Sequence, residues 1–155
     1  MTHEYSISTV TVSVREPRSD APVLGDPASV ASFLSEFFET LDSDQEHVVM
    51  LTFDGKHRLS GIKVLSSGTR TQSCVDPQRL FRIALELSAC SIVIAHNHPS
   101  GDLEPSRDDI DLTRRIANGG EILGIPLNDH IIVSPCGLWL SLRLSRPALF
   151  SQQSN

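Results

Sequence analysis

The part of the sequence that most constrains the fold is CSIVIA at positions 90–95, a short and nearly continuous apolar run. Such a run is typical of a β-strand that is buried on both faces of a sheet. One helix is predicted before it, beginning at Asp76-Pro77, and another after it, beginning at Pro105-Ser106. Strands that alternate with helices in this way indicate an α/β fold with a mixed sheet flanked by helices.

Periodicity places further elements around this strand. The additional strands are predicted at residues 5–14, 47–53, 58–65, 130–134 and 138–144. A first helix begins at Asp26-Pro27, and the helix at Asp76-Pro77 runs to about Ala89. The last helix ends either at Gly119-Gly120 or at Leu123, since the glycines could stop it or lie inside it. We expect residues 1–25 to lead into one domain over residues 26–144, followed by a flexible tail at 145–155.

The composition is that of a single folded domain. The chain has 155 residues, of which 39% are hydrophobic and 21% charged, and this balance excludes a disordered or collagen-like chain. No apolar run reaches the length of about 18 residues that a membrane span needs, and the first residues do not resemble a secretory signal. Three widely spaced cysteines favour reduced thiols and a cytoplasmic location. The net charge of −6 does not favour strong nucleic-acid binding.

The segment that carries chemistry is HNHPSGDLEPSRDD, residues 96–109. His96 and His98 end the buried strand, and side chains two residues apart on a strand share a face, so both rings can converge on one metal ion. Asp109 lies in the first turn of the following helix, where the loop can bring it back to the histidines. Two histidines and one carboxylate leave a fourth position for water, as in catalytic zinc sites, although the same set also suits iron(II).

A structural interpretation competes with the metal site. Ser106 and Asp109 fit the capping box of a helix start. The two roles are compatible for Ser106, whose backbone can cap the helix while its hydroxyl faces the metal. They compete for Asp109, whose carboxylate cannot easily serve both. The alternative carboxylates, Asp102 and Asp108, are expected to be solvated, and the remaining histidines are expected at the surface: His3, His47 and His57.

The same segment resembles the motif of the JAB/MPN (JAMM) metalloproteases. That pattern has His-x-His, ten residues and then Asp, with Pro after the second His and Ser three residues before the Asp. Pro99 and Ser106 occupy those positions here. The surroundings are similar to the RadC branch of the family, in residues 51–69, 84–116 and 123–134. The resemblance covers about residues 26–144 and implies a single MPN/JAB-like domain, which has a cytidine-deaminase-like fold.

The resemblance also implies roles for particular residues. One zinc ion per chain would be held by His96, His98 and Asp109. Glu46 would act as the general base, and the Ser106 hydroxyl would stabilise the oxyanion as a polypeptide or another amide-containing substrate is cleaved. A second carboxylate, Glu86, is expected to be structural or at the surface. The Asp129-His130 pair also matches the RadC branch, either as a satisfied histidine beside a strand or as a contact behind the metal.

Other functions remain open at this point. JAB/MPN domains also serve as non-catalytic interaction modules, and the RadC name suggests an accessory role in DNA repair. RadC proteins carry an N-terminal helix-hairpin-helix region, and this chain resembles a short form without it. A zinc deaminase is disfavoured because the His-x-Glu and Pro-Cys-x-x-Cys elements of those enzymes are missing.

Overall fold

A five-stranded mixed sheet lies at the centre of the computed structural model, which describes residues 20–68 and 75–151. Its strands are β1 (His47–Phe53), β2 (Leu59–Ser67), β3 (Ser91–Asn97), β4 (Leu127–Val133) and β5 (Trp139–Ser141). Their order in the sheet is β2-β1-β3-β4-β5, and β3 and β4 are parallel while the other pairs are antiparallel. The predicted α/β class is thus confirmed, whereas the strand expected at 5–14 lies outside the described residues.

The first three helices begin where the sequence predicts them. They are α1 (Pro27–Phe38), α2 (Pro77–Glu86) and α3 (Arg107–Leu123). A short helix that the sequence did not predict, α4 (Leu142–Ser145), and a 3-10 turn at Pro147–Leu149 follow. The side chains of Asp26, Asp76 and Ser106 each accept a backbone N–H of the first helical turn, which satisfies groups that have no partner within the helix. Within the described ranges, no helix combines the length and the apolar character needed to cross a bilayer.

The two glycines at which α3 could have ended lie inside the helix. A Cβ atom at Gly120 would lie 2.4 Å from the backbone oxygen of Ile125, and one at Gly119 would lie 2.7 Å from the ring of Phe81. The glycines therefore permit close packing of α3 and do not terminate it. The helix ends at Leu123, and the following Gly124, with a positive φ of 69°, caps its last turn.

The sheet has two apolar faces, as the run at 90–95 predicts. On one face, side chains of β1 and β3, among them Met50 and Ile94, pack against α2 and α3. On the other face, their neighbours, among them Leu51 and Ala95, pack against α1. Because His96 follows Ile94 by two residues, its ring lies on the α3 face of the sheet.

The last hairpin is shorter than expected. The strand predicted at 138–144 ends at Ser141, whose hydroxyl accepts the Leu144 N–H at 3.1 Å and begins α4. The physical reason is that a helical turn buries Leu142 fully, so this apolar side chain does not need an extended strand to reach the core. The region expected to be a flexible tail from 145 onwards also contains structure, because Leu149 in the 3-10 turn is buried against Ile132.

Candidate metal centre

The two histidines of the motif meet at the carboxyl end of β3. His96 is fully buried, and its Nε2 lies 2.9 Å from Nε2 of the partly exposed His98. The His98 N–H still bonds to the backbone oxygen of Val133, at 3.0 Å, which continues the pairing with β4. The chain then turns through Gly101, which has a positive φ of 84°. The predicted convergence of the two rings is therefore present.

The orientation of the His98 ring is fixed by a backbone group. Its Nδ1 lies 2.5 Å from the carbonyl oxygen of Asp102. A carbonyl oxygen can only accept, so Nδ1 carries the proton, and in the neutral ring Nε2 keeps a lone pair. The Asp102 side chain, an alternative ligand in the sequence, instead accepts the N–H of Glu104 at 2.9 Å.

Asp109 is fully buried in the first turn of α3, and its two oxygens have different partners. Oδ2 accepts the backbone N–H of Ser106 at 2.7 Å and its hydroxyl at 2.8 Å. Oδ1 lies 3.4 Å from His96 Nε2 and accepts no hydrogen bond from the described residues. Capping and approach to the histidines are thus divided between the two oxygens, which the sequence interpretation had treated as competing roles.

The electrostatic surroundings of Asp109 favour its charged form. Burial alone would raise the pKa of this carboxyl, but the His96 ring beside it and the hydrogen bonds from Ser106 hold the pKa well below its usual range. An ionised oxygen without a hydrogen-bond donor, buried beside a histidine nitrogen, is an arrangement that a cation would complete.

Glu46 lies immediately before β1, and its Oε1 is 3.4 Å from His98 Nε2. Asn97, the middle residue of the His-x-His motif, fixes this segment on both sides. Its Oδ1 accepts the His47 N–H at 2.7 Å, and its Nδ2 donates to the Gln45 carbonyl at 2.9 Å. Sequence reasoning missed Asn97, although its position between the two histidines was a signal.

The prediction that His47 lies at the surface is wrong. Its ring is buried at the start of β1, with Nε2 at 2.8 Å from the Asp42 carbonyl and Nδ1 at 2.7 Å from the Ser67 hydroxyl. The ring thus ties the first strand to β2 and to the loop before it. Its role here is structural, and it adds a further restraint next to Glu46.

Behind His96 lies His130, which is fully buried on β4. Its Nε2 is 2.8 Å from His96 Nδ1, and its Nδ1 is 2.6 Å from the hydroxyl of Thr113. Burial, and then the neighbouring His96 ring, lower the pKa of His130 to about 3, so the ring is neutral near pH 7. His130 is therefore both a satisfied histidine and a contact behind the candidate site, whereas sequence analysis offered these as alternatives.

The neighbouring Asp129 carries out a different task. Its carboxylate accepts the Ser141 hydroxyl at 2.5 Å and the backbone N–H groups of His130 and Arg143. These bonds hold the corner between β5 and α4. The alternative carboxylate Glu86 lies on α2, where it pairs with Arg82 at 3.9 Å. Neither carboxylate belongs to the cluster around His96.

The cluster fits a metal ion by the chemistry of its donors. His96 Nε2 lies 2.9 Å from His98 Nε2 and 3.4 Å from Asp109 Oδ1, and His98 Nε2 lies 3.9 Å from Oδ2, the Asp109 oxygen that caps α3. Zinc bonds of about 2.0–2.2 Å require ligand atoms that lie about 3 to 4 Å from one another. Two overlapping groups have ligand atoms that all lie within 4.8 Å of one another, one containing Glu46, His96 and His98, and the other His96, Asp109 and His130. The three proposed ligands are divided between these groups, and His96 belongs to both.

The fold and this cluster define a domain of the JAB type. The family model of the RadC-like JAB domain matches residues 24–146, and the chain belongs to that family. It is 41% identical over 121 residues to a UPF0758 protein of Acaryochloris marina, covering 78% of this chain and 49% of that protein. It is 42% identical over 112 residues to one from Rubrobacter xylanophilus, covering 72% and 48%.

A third relative, a UPF0758 protein of Shouchella clausii, is 41% identical over 129 residues, which is 83% of this chain and 55% of that protein. The chain therefore spans about half the length of the curated relatives it matches. The family expected from the His-x-His motif is confirmed.

Proposed function

We propose that the protein is a zinc-dependent hydrolase of peptide or isopeptide bonds. The observation that carries this proposal is the convergence of His96 Nε2, His98 Nε2 and the unbonded Asp109 Oδ1, with the Glu46 carboxylate beside them. His96, His98 and Asp109 would hold one zinc ion per chain. The complete set of donors argues against a non-catalytic interaction module, which would have no need to keep them.

Each of the other residues has a definite task in this reaction. When bound, zinc polarises a carbonyl group and activates water at neutral pH. Glu46 takes a proton from the attacking water and delivers it to the leaving amine. Its position supports this role, because its carboxylate lies against the partly exposed His98 and not in the buried interior. Asn97 keeps the Glu46 backbone in place throughout.

Ser106 has a more demanding task. Its single hydroxyl proton is donated to Asp109 Oδ2, so the hydroxyl must rotate before it can donate to a developing oxyanion. The Ser106 N–H continues to hold Asp109 Oδ2 during this rotation. Loss of an oxyanion donor typically raises the barrier by about 3 kcal/mol. The exposed position of Ser106 supports access to substrate.

The proposed substrate is a polypeptide or another amide-containing conjugate. Phosphodiester cleavage commonly uses two metal ions about 3.5–4 Å apart. The cluster in the described residues offers Asp109 as the buried carboxylate and Glu46 as the more exposed one, which is fewer than such a site usually has. The net charge of −6 also disfavours tight binding of a phosphate backbone.

The test is metal analysis of the purified protein, followed by zinc-dependent cleavage of a peptide library. We expect Glu46→Gln to keep zinc and to lose cleavage, whereas the control Glu86→Gln keeps both. Undiminished cleavage by Glu46→Gln would overturn the assignment of the base. Zinc-dependent nicking of duplex DNA that is lost in His98→Ala would favour the alternative function in DNA processing.

A further inference from the structure

We propose that Thr113 and His130 are positioning residues that fix the tautomer of His96, so that its Nε2 presents a lone pair to the metal. The inference rests on the proposed metal site. His98 is oriented by a backbone carbonyl, which every residue carries. The His96 ring has no such partner at Nδ1 and contacts the side chain of His130 there. Its proton is therefore placed through the side chains of His130 and Thr113.

The first step of the argument concerns the Thr113 hydroxyl. Its oxygen lies 2.6 Å from the backbone carbonyl of Asp109 and 2.6 Å from His130 Nδ1. The carbonyl can only accept, so the single hydroxyl proton points towards Asp109. The hydroxyl oxygen must then accept from the other neighbour, and the proton of His130 is placed on Nδ1.

The second step shows how the position of the His130 proton determines the position of the His96 proton. The fully buried His130 ring bonds to a hydroxyl and to another imidazole and not to a carboxylate, so it carries one proton, and with that proton on Nδ1 its Nε2 is an acceptor. His96 Nδ1, at 2.8 Å, therefore donates to it. The proton of His96 is fixed on Nδ1, and its Nε2 faces His98 Nε2 and Asp109 Oδ1 with a lone pair. Metal ligation requires this lone pair.

The opposite tautomer would be harmful at this position. A proton on His96 Nε2 would be held by the unbonded Asp109 Oδ1, 3.4 Å away, and both atoms would be lost as ligands. The hydrogen bonds through His130 and Thr113 disfavour that state, because reversing the His96 ring would make His130 Nε2 the donor and leave its Nδ1 without a proton, so that the Thr113 hydroxyl could bond to it only by giving up the Asp109 carbonyl.

The fold explains why these groups meet. Thr113 follows Asp109 by four residues on α3, so its hydroxyl reaches the Asp109 carbonyl in the manner common for helical threonines. β4 lies beside β3 in parallel register, which brings His130 next to Ile94 and behind His96. Helix α3 thus supplies the proposed ligand Asp109 and also the Asp109 carbonyl and Thr113 hydroxyl that order the proton on His96.

The experiment measures protonation of the ring nitrogens directly. In the full chain after zinc removal, at an alkaline pH where each imidazole carries one proton, long-range ¹H–¹⁵N NMR spectra should show His96 and His130 protonated at Nδ1. Thr113→Val removes the acceptor with little change of shape, and we expect His96 to move its proton to Nε2. Thr113→Ser should retain the wild-type spectrum.

Zinc affinity, measured by competition with a chromophoric chelator, is the second readout. Loss of groups that orient a metal ligand typically weakens binding by about 10–100-fold, and we expect this of Thr113→Val but not of Thr113→Ser. The matched control is Thr52→Val, since Thr52 is equally buried and its hydroxyl bonds to Ser60 on β2, at the other end of the sheet.

The outcomes separate this proposal from the function on which it rests. Protonation of His96 at Nε2 in the wild-type chain would overturn it without any variant, as would weaker zinc binding by Thr113→Val with unchanged tautomers. The expected tautomers in a chain that binds no zinc would support the positioning role and instead count against the proposed hydrolase.

Discussion

At the scale of single residues, Asn97 shows how one side chain joins the two halves of the proposed chemistry. Its neighbours in sequence, His96 and His98, point to the α3 side, while its own amide holds the backbone on both sides of Glu46. Both parts of the amide are needed, because the oxygen accepts from His47 and the nitrogen donates to Gln45. The spacing of the motif could not predict this, since the bonds join residues about fifty positions apart.

We predict that Asn97→Leu destabilises the fold by about 1–3 kcal/mol, since the buried His47 N–H loses its acceptor. Urea unfolding monitored by circular dichroism measures the change. Asn118→Leu, on the exposed side of α3, is the control and should stay within about 0.5 kcal/mol of wild type. Equal effects of the two substitutions would show that the hydrogen bonds of the Asn97 amide do not contribute to stability.

At the scale of elements, the helix starts and the central strand were predictable because their signals are local. Asp26-Pro27 and Asp76-Pro77 carry a cap and a proline in sequence, and the apolar run at 90–95 reports burial on both faces. The end of α3 was not predictable, because the need for Gly119-Gly120 comes from neighbours that are brought near only by folding.

The end of the sheet was mispredicted for a similar reason. The apolar alternation of residues 138–144 suits a strand, but Ser141 caps a short helix that buries Leu142. The contact between Thr113 and His130 could not be predicted from the sequence either, because it depends on the parallel pairing of β3 with β4 and on the packing of α3. The proposed metal ligands could be named from the sequence because their spacing is contained in one short segment.

The close packing of α3 leads to a second prediction. Gly120→Ala should destabilise the protein by about 1–3 kcal/mol, because the new Cβ would meet the Ile125 backbone oxygen at 2.4 Å and the backbone must shift. Alanine otherwise favours a helix by about 1 kcal/mol over glycine, so the sign is diagnostic. Thermal unfolding of purified Gly120→Ala measures it, and a gain in stability would contradict the packing described here.

At the scale of the whole molecule, the candidate site is assembled from four separate parts of the chain. The segment before β1 supplies Glu46, the end of β3 supplies two histidines, α3 supplies Asp109, and β4 supplies His130 behind them. The three proposed ligands lie within residues 96–109, but only folding brings the first turn of α3 back against the end of β3. The proposed metal should therefore bind the folded state more tightly than the unfolded chain.

We accordingly predict that zinc raises the unfolding temperature. A ligand at about 100 times its dissociation constant adds about 2.7 kcal/mol of stability, which for a domain of this size corresponds to about 5–10 °C. Differential scanning fluorimetry with and without zinc measures the shift, with magnesium as the control ion. His96→Ala should show no such shift, and an undiminished one would place the binding site elsewhere.

The contacts around His96 form a closed circuit. It leaves Asp109 through its backbone carbonyl, passes Thr113, His130 and His96, and comes back to the Asp109 carboxylate. A displacement of the first turn of α3 would therefore move the proposed ligand Asp109 away and, at the same time, remove the carbonyl that orders the proton on the proposed ligand His96. Release of a bound zinc ion on partial unfolding should consequently be cooperative, without a populated intermediate that binds zinc weakly.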